Sequence, residues 1–193
     1  VQIEARSISK SFGDKKVLSG FSYVFRDGTV TAVMGASGCG KSTLISILMG
    51  TLQQDSGEVI HDAPIKKSAV FQENRLCENL TAAANIRLVT GKRYSEKELA
   101  EHFGAVGLQE CLNKPVRELS GGMKRRVSLL RALLAEYDVL FLDEPFKGLD
   151  EATKSAVMEY TKNMTQGKTV IMVTHSKDEC ALLADDTITL EQL

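Results

Sequence analysis

Long apolar runs are missing from this chain. No stretch of the 193 residues approaches the ~18 consecutive apolar residues of a membrane span. No basic-then-apolar segment opens the chain, so a role at a membrane has to come through a partner. Proline is scarce, at three residues, and there is no Pro-, Gly- or Ser-rich linker, low-complexity tract or internal repeat. The chain therefore reads as one domain with an inserted subdomain. The four cysteines, Cys39, Cys77, Cys111 and Cys180, form no C-x-x-C pair, which leaves zinc and redox readings without support and fits free thiols in a reducing cytosol. An excess of one charge sign is also lacking. The formal net charge is −1, so there is no global basic field for non-specific nucleic-acid binding, although a local basic patch would be hidden in that average. The chain opens at Val1 without Met, which points to processing or a fragment edge. It stops soon after its last predicted strand, which leaves no room for a C-terminal regulatory domain and fits a minimal or truncated domain.

What is present is an ordinary globular composition, with 43% hydrophobic and 25% charged residues. A chain of this size buries roughly two-thirds of its unfolded surface. Short strands are expected over Val1 to Ser7, and around Val17, Leu18, Phe21, Tyr23 and Phe25, with a turn at Asp27-Gly28. Val30 to Met34 reads as a buried strand, Gly35 to Gly40 as a loop and Lys41 to Met49 as a helix stopped by Gly50. Gly57 to Ile60 and Ser68 to Phe71 read as strands. From about Leu76 to Glu136 no convincing strand appears. Ser95 and Glu98 form an S-x-x-E capping box, with Leu99 and Phe103 on one helical face, and Ser120 starts a helix that places Val127, Leu130 and Leu134 on one side. Val139 to Leu142, ending at Asp143, has the character of a strand buried on both faces. A helix from about Glu151 to Gly167, a strand at Val170 to Val173, a second capping box at Ser176 and Glu179, and a last strand at Ile188 to Leu190 complete the pattern. Alternating strands and helices imply a largely parallel sheet with crossovers.

Two motifs carry chemistry. Gly35-Ala36-Ser37-Gly38-Cys39-Gly40-Lys41-Ser42 matches G-x-x-x-x-G-K-[ST] at every fixed position. Glycines let the backbone approach phosphate oxygens closely, and the loop N–H groups with the helix N-terminus attract an anion. Lys41 is expected at the β- and γ-phosphates, the Ser42 hydroxyl on Mg²⁺ and Thr43 near the α-phosphate. Cys39 is either a small filler or a thiol close to bound phosphate. The second motif, Val139 to Glu144, delivers two carboxylates at the C-terminal end of a strand, which in open α/β sheets faces the ligand crevice. Asp143 suits the Mg²⁺ shell, and Glu144 suits a general base that polarises an attacking water.

Leu119-Ser120-Gly121-Gly122 resembles the LSGGQ signature of the ABC ATPases and stands where that family has it, shortly before the acidic strand. The resemblance spans essentially the whole chain, with the motifs in family order. It implies an α/β fold: a P-loop NTPase core with a mostly parallel sheet, an N-terminal antiparallel β subdomain and an inserted α-helical subdomain. A single domain over 1–193 would divide into the core and β subdomain at 1–75 and 137–193, and the helical subdomain at 76–136. By resemblance, Phe12 stacks on adenine, Gln72 touches Mg²⁺ and senses the partner, Gly148-Leu149-Asp150 forms the loop that crosses between subunits, and His175 contacts the γ-phosphate. Ser120, Gly121 and Gly122, at a helix start, would bind the γ-phosphate of ATP held by the opposite subunit. Two ATP molecules are then clamped between head-to-tail chains, a second copy or a paralogous ATPase subunit. Met123 stands where the signature usually has Gln, and Lys147 where a small residue is common. The runs from Met123 to Val127 and from Asp143 to Phe146 resemble the nitrate, sulfonate and taurine importer group.

The resemblance implies an ATPase that energises transport from the cytoplasmic face of a membrane, docked to a permease through a groove lined by Glu73, Asn74, Arg75 and Leu76. No direct nucleic-acid partner is expected. The alternative is a non-transport ABC ATPase acting on DNA or ribosomes. DNA-acting members insert a coiled coil or a zinc element between the nucleotide motifs, whereas this stretch holds only a compact helical segment without sustained heptads. Ribosome-acting members carry two such domains in one chain. A non-hydrolysing scaffold is opposed by intact Glu144 and His175.

Overall fold

The computed structural model describes residues 1–61 and 64–191; the expected domain bounds of 1–193 also run through Asp62, Ala63, Gln192 and Leu193, which lie outside the described residues. In chain order the strands are β1 (Ile3–Phe12), β2 (Lys15–Phe25), β3 (Val30–Met34), β4 (Ser56–Ile60), β5 (Lys67–Val70), β6 (Val139–Asp143), β7 (Thr169–Val173) and β8 (Asp186–Thr189). The helices are α1 (Lys41–Met49), α2 (Ala82–Thr90), α3 (Glu96–Ala105), α4 (Gly121–Leu134), α5 (Glu151–Thr165) and α6 (Lys177–Leu183), with a 3₁₀ turn at Val116–Glu118. Among the described residues no helix is long and apolar enough to cross a membrane.

Two sheets form. The parallel sheet runs β5-β6-β7-β3-β8 and the antiparallel one runs β2-β1-β4. The central strands of the parallel sheet are apolar because both faces are covered. Val139, Leu140, Phe141 and Leu142 of β6 are buried, as are Val170, Ile171, Met172 and Val173 of β7. Burying each large aliphatic or aromatic side chain contributes about 1.5–3 kcal/mol. Alternate residues of one strand serve different cores. Leu140 and Leu142 pack with α4 and α5 residues such as Leu130 and Val157, while Val139 and Phe141 pack with Leu44 and Leu48 of α1. That second core also takes Ile3, Ile8, Leu18 and Phe25 from the antiparallel sheet, so the N-terminal hairpin is fastened to the helix behind the glycine-rich loop.

The first strand is longer than expected. It runs to Phe12, and register shifts between Ala5 and Ser11, with Ser7 at a φ of 51°, explain its loose alternation. Between β5 and β6 lie only helices, the 3₁₀ turn and one isolated bridge, Thr81 to Pro115. The capping box at Ser95 closes in both directions, Glu98 N–H to Ser95 Oγ and Ser95 N–H to Glu98 Oε2. The one at Ser176 does not. Ser176 Oγ accepts from Glu179 N–H at 3.4 Å, but the Glu179 carboxylate is taken by Thr174 and Lys154, stronger partners in a buried setting. The αL stop at Gly50 forms as expected, with a φ of 78° and its N–H bonded to the end of α1.

Candidate functional site

The site is built at the C-terminal ends of β3, β6 and β7. After Met34 the chain turns through the loop 35–40 into α1, and two glycines there cannot be replaced. A Cβ on Gly35 would strike the Leu190 carbonyl oxygen and stand 2.7 Å from Cys39 Sγ, and one on Gly40, whose φ is 101°, would lie 2.8 Å from Val17 Cγ1. Lys41 is buried, and its ammonium donates to the carbonyl oxygens of Gly35 at 2.8 Å and Ala36 at 2.7 Å. The loop therefore presents a fixed cation and a turn of backbone N–H groups at one spot. Ala36, Ser37 and Gly38 are exposed, whereas Cys39 is buried among core residues, where its side chain fills space.

The acidic end of β6 lies beside this loop. Gln72 Nε2, just beyond β5, donates to Ser42 Oγ at 3.0 Å. Burial pushes the Asp143 carboxyl above its ordinary value, partly countered by hydrogen bonds from Ser42 and Gln72. Its Oδ1 is buried and has no hydrogen-bond partner among the described residues. An orphaned carboxylate oxygen costs roughly 1–3 kcal/mol or more, and oxygen donors from Asp143, Ser42 and Gln72 are the set a hard divalent cation takes. Glu144 follows at a φ of 47°, a left-handed conformation that costs a non-glycine residue on the order of 1–3 kcal/mol. It is pinned by its N–H to the Val173 carbonyl at 3.0 Å. Glu144 Oε1 lies 3.6 Å from His175 Nδ1 and Oε2 lies 2.8 Å from Lys147 Nζ. Burial raises this carboxyl, but the Lys147 contact and the nearby His175 outweigh it, so it sits below the usual glutamate range.

A cleft of about 320 Å³ joins these parts. It is lined by Phe12, Lys15, Val17, Ser37, Gly38, Gly40, Lys41, Ser42, Thr43, Gln72 and Glu144. Phe12 is half exposed at the tip of β1, with Lys10 Nζ 5.6 Å from its ring centroid. A second cleft of about 230 Å³ shares Glu144 and adds Lys147, Thr174 and His175. A hollow of similar size at Gly28, Lys162 and Asp185 lies at the opposite ends of the strands, away from the loop. Volume thus does not distinguish the site; the convergence of loop, carboxylates and an aromatic face does.

Not every residue singled out from the sequence enters the first cleft. Ser120 caps α4, its Oγ accepting from Met123 N–H at 3.3 Å. Ser120 and Gly121 are exposed and line neither cleft. Gly122 faces the loop before α5, where an added Cβ would touch Gly148 O at 3.5 Å. Asp150 caps α5, accepting from Thr153 N–H at 3.0 Å; hydrogen bonds to Thr153 hold its carboxyl below the ordinary value.

Residues 18–147 match the sequence model described as ABC transporter. The chain belongs to the ABC transporter family. It is 33% identical to the spermidine/putrescine import ATP-binding protein PotA of Mycoplasma capricolum subsp. capricolum, an alignment covering 98% of this chain and 59% of that one. It thus spans less than two-thirds of the length of that relative. It is 37% identical to the aliphatic sulfonates import ATP-binding protein SsuB 1 of Agrobacterium fabrum, over 100% of this chain and 72% of that one. In structure it resembles the ATP-binding cassette MJ0796, solved as a dimer in a post-hydrolysis state bound to ADP and Pi. The TM-score is 0.86 and the identity 26%, over 98% of this chain and 95% of that one.

This ABC chain also holds groups that sequence reasoning passed over. Arg125 of α4 is buried and donates to the backbone carbonyls of Pro145 at 3.1 Å, Asp143 at 2.6 Å, Glu144 and Phe71. One guanidinium thus joins the signature helix to both strand ends that carry the site, although burial lowers its pKa. Behind His175, Glu179 accepts from Thr174 Oγ1 at 2.5 Å and pairs with Lys154 Nζ at 2.7 Å, tying α5 to α6. The signal for Arg125 was a charged residue three and four positions before Ser128 and Leu129, which are buried on the same helix face. The signal for Glu179 was masked by the capping-box reading.

Proposed function

We propose that this chain is the ATP-binding and ATP-hydrolysing subunit of an ABC importer, working at the cytoplasmic face of a membrane through a permease subunit. The observation that carries the reading is a single cleft into which Lys41, Ser42, Gln72 and Glu144 converge, with an unpartnered Asp143 oxygen beside it. Import is supported by the similarity to the polyamine and sulfonate import proteins. The transported solute is chosen by the other subunits.

The nucleotide would stack its adenine on Phe12. The loop 35–40 and the start of α1 would hold its phosphates through backbone N–H groups, with Lys41 turning from its loop carbonyls toward the β- and γ-phosphates and Thr43 near the α-phosphate. Ser42, Gln72 and Asp143 would hold Mg²⁺, which supplies charge neutralisation on the transferring phosphoryl group. Glu144 would accept the proton of the attacking water, and His175 would steady the γ-phosphate. The strain at Glu144 is consistent with a position held for function.

Ser120 and Gly121, exposed and outside the lining of their own cleft, would with Gly122 cover the cleft of a second chain, with Gly148 to Asp150 at the crossing. The dimeric state of the related cassette supports this arrangement. Two chains joined head to tail around ATP would close, and hydrolysis would release them. We assign 76–136 as the helical arm and 1–75 with 137–193 as the nucleotide-holding body. The segment from Glu73 to Leu76, stiffened by Arg75 stacked 3.7 Å over Phe71, would meet the permease.

Replacing Glu144→Gln tests the reading. ATP binding is expected to persist while turnover nearly disappears and an ATP-bound dimer accumulates in size-exclusion chromatography. Turnover like that of the parent chain would remove Glu144 as the base. Stimulation of the parent chain by DNA or ribosomes, without stimulation by membrane subunits, would overturn the transport assignment.

A further inference from the structure

The polar groups around Glu144 include one cation with no place in the phosphate cleft. Between Glu144 and Lys147 the backbone makes a tight turn, Lys147 N–H donating to Glu144 O at 3.2 Å. The turn returns the Lys147 side chain over the carboxylate, where its ammonium reaches Oε2 at 2.8 Å. Oε1 lies 3.6 Å from His175 Nδ1, beyond hydrogen-bond length, so Lys147 makes the closer contact. A general base needs an oxygen within hydrogen-bond reach of the water it deprotonates, aimed at that water. Oε2 is buried and in ion-pair contact with Lys147 without the alignment of a hydrogen bond, so the lysine occupies its approach instead. The two partners also differ in access, with side-chain exposures of 65% for Lys147 and 15% for Glu144. The lysine can leave toward solvent or toward an approaching surface, while the carboxylate is confined by its strained backbone and the Val173 carbonyl.

We infer that Lys147 is a positioning residue that holds the Glu144 carboxylate in a resting orientation, withholding one oxygen from the attacking water until the contact opens. This rests on Glu144 serving as the base. The restraint comes from an ion pair whose lysine side is open to solvent, so it is modest in size and sensitive to salt. It also lies next to Gly148 to Asp150, the stretch assigned to the crossing with a second chain, where closure of a partner can draw the ammonium away.

The experiment is steady-state hydrolysis of Mg-ATP by the purified full chain, with Lys147→Met, Lys147→Ser and Lys147→Arg compared at low and high ionic strength. Lys147→Met and Lys147→Ser are expected to raise kcat about two- to fivefold, the factor an exposed pair is worth, with KM unchanged. Lys147→Arg restores the restraint. Added salt should raise kcat of the parent chain by screening the pair and leave Lys147→Met unmoved. An unchanged or lower kcat in both neutral variants, or an equal salt response in all chains, overturns the inference. A Glu144→Gln control separates the two readings. If it is inactive while Lys147→Met matches the parent, the restraint alone fails. If it retains full turnover, the base assignment fails as well.

Discussion

Replacing Arg125 by Met keeps a long, flexible stem in the space occupied by the arginine and deletes the guanidinium. Four strong hydrogen bonds to the carbonyls of Phe71, Asp143, Glu144 and Pro145 go with it. Charged hydrogen bonds contribute about 1.5–3 kcal/mol each, so a naive sum would be about 6–12 kcal/mol. Burying the guanidinium opposes that sum, and part of the freed carbonyl surface can take up water. Each buried carbonyl left without a donor costs about 1–3 kcal/mol, so with part of that surface rehydrated the expected loss is about 3–5 kcal/mol. At about 2–4 °C per kcal/mol for a chain of this size, the midpoint of thermal unfolding should fall by roughly 6–20 °C. The functional signature is more specific. The freed carbonyls belong to the segments that carry Gln72, Asp143 and Glu144, so folded Arg125→Met should hold nucleotide but turn it over poorly. Arg125→Lys should recover part of the stability and little of the turnover, because an ammonium cannot span both strand ends. Circular dichroism melts with ATPase measurements well below the midpoint make the check. A stability loss under ~1 kcal/mol together with parental kcat would refute the argument that one guanidinium organises the site.

Lys41→Ala should lose nucleotide affinity, and an unchanged calorimetric ATP titration would count against the phosphate role. Lys154→Met leaves the buried Glu179 without its cation and should destabilise the chain by about 3–5 kcal/mol in a urea titration. The variant carrying both Lys154→Met and Glu179→Gln should recover part of that loss. His102 of α3 accepts at Nδ1 from Tyr160 of α5 at 2.8 Å when neutral. Burial lowers its pKa from the ordinary 6.5, against the opposing charges of Glu101 and Glu98. The folded state therefore binds this proton less readily than the unfolded chain. The contribution of His102 is complete above pH 6.5 and is lost as pH falls from there through the lowered folded value. Urea midpoints should decline over that window in the parent chain and less so in His102→Gln.

The parts of this molecule legible in the sequence are those governed by local rules. Val139 to Leu142 reads as a doubly covered strand because nothing polar interrupts it, and Gly50 reads as a helix stop because only an αL residue closes that turn. The phosphate loop is legible because it is a contiguous backbone device. What escaped depends on contacts between distant segments. Arg125 is charged and helical, which suggests a solvent-facing position, yet the carbonyls it satisfies come from residues far away in the chain. Glu179 was read as a capping residue from its spacing, but Lys154 and Thr174 compete for it more strongly from other elements. Lys147 stood out only as a departure from the commoner small residue, since its reach to Glu144 needs the turn geometry. The long β1, with its register shifts, shows how bulges blur a period-two pattern.

The contact between Gly40 and Val17 makes two positions far apart in sequence share one volume. Shrinking the side chain at position 17 would remove the nearest contact but leave the Val17 carbonyl oxygen 3.0 Å and Leu18 Cδ2 3.2 Å from a Cβ at position 40, and the φ of 101° would still resist it. Shape and dihedral thus act as separate locks on the same residue. Redesign of the nucleotide loop has to begin in the hairpin that backs it.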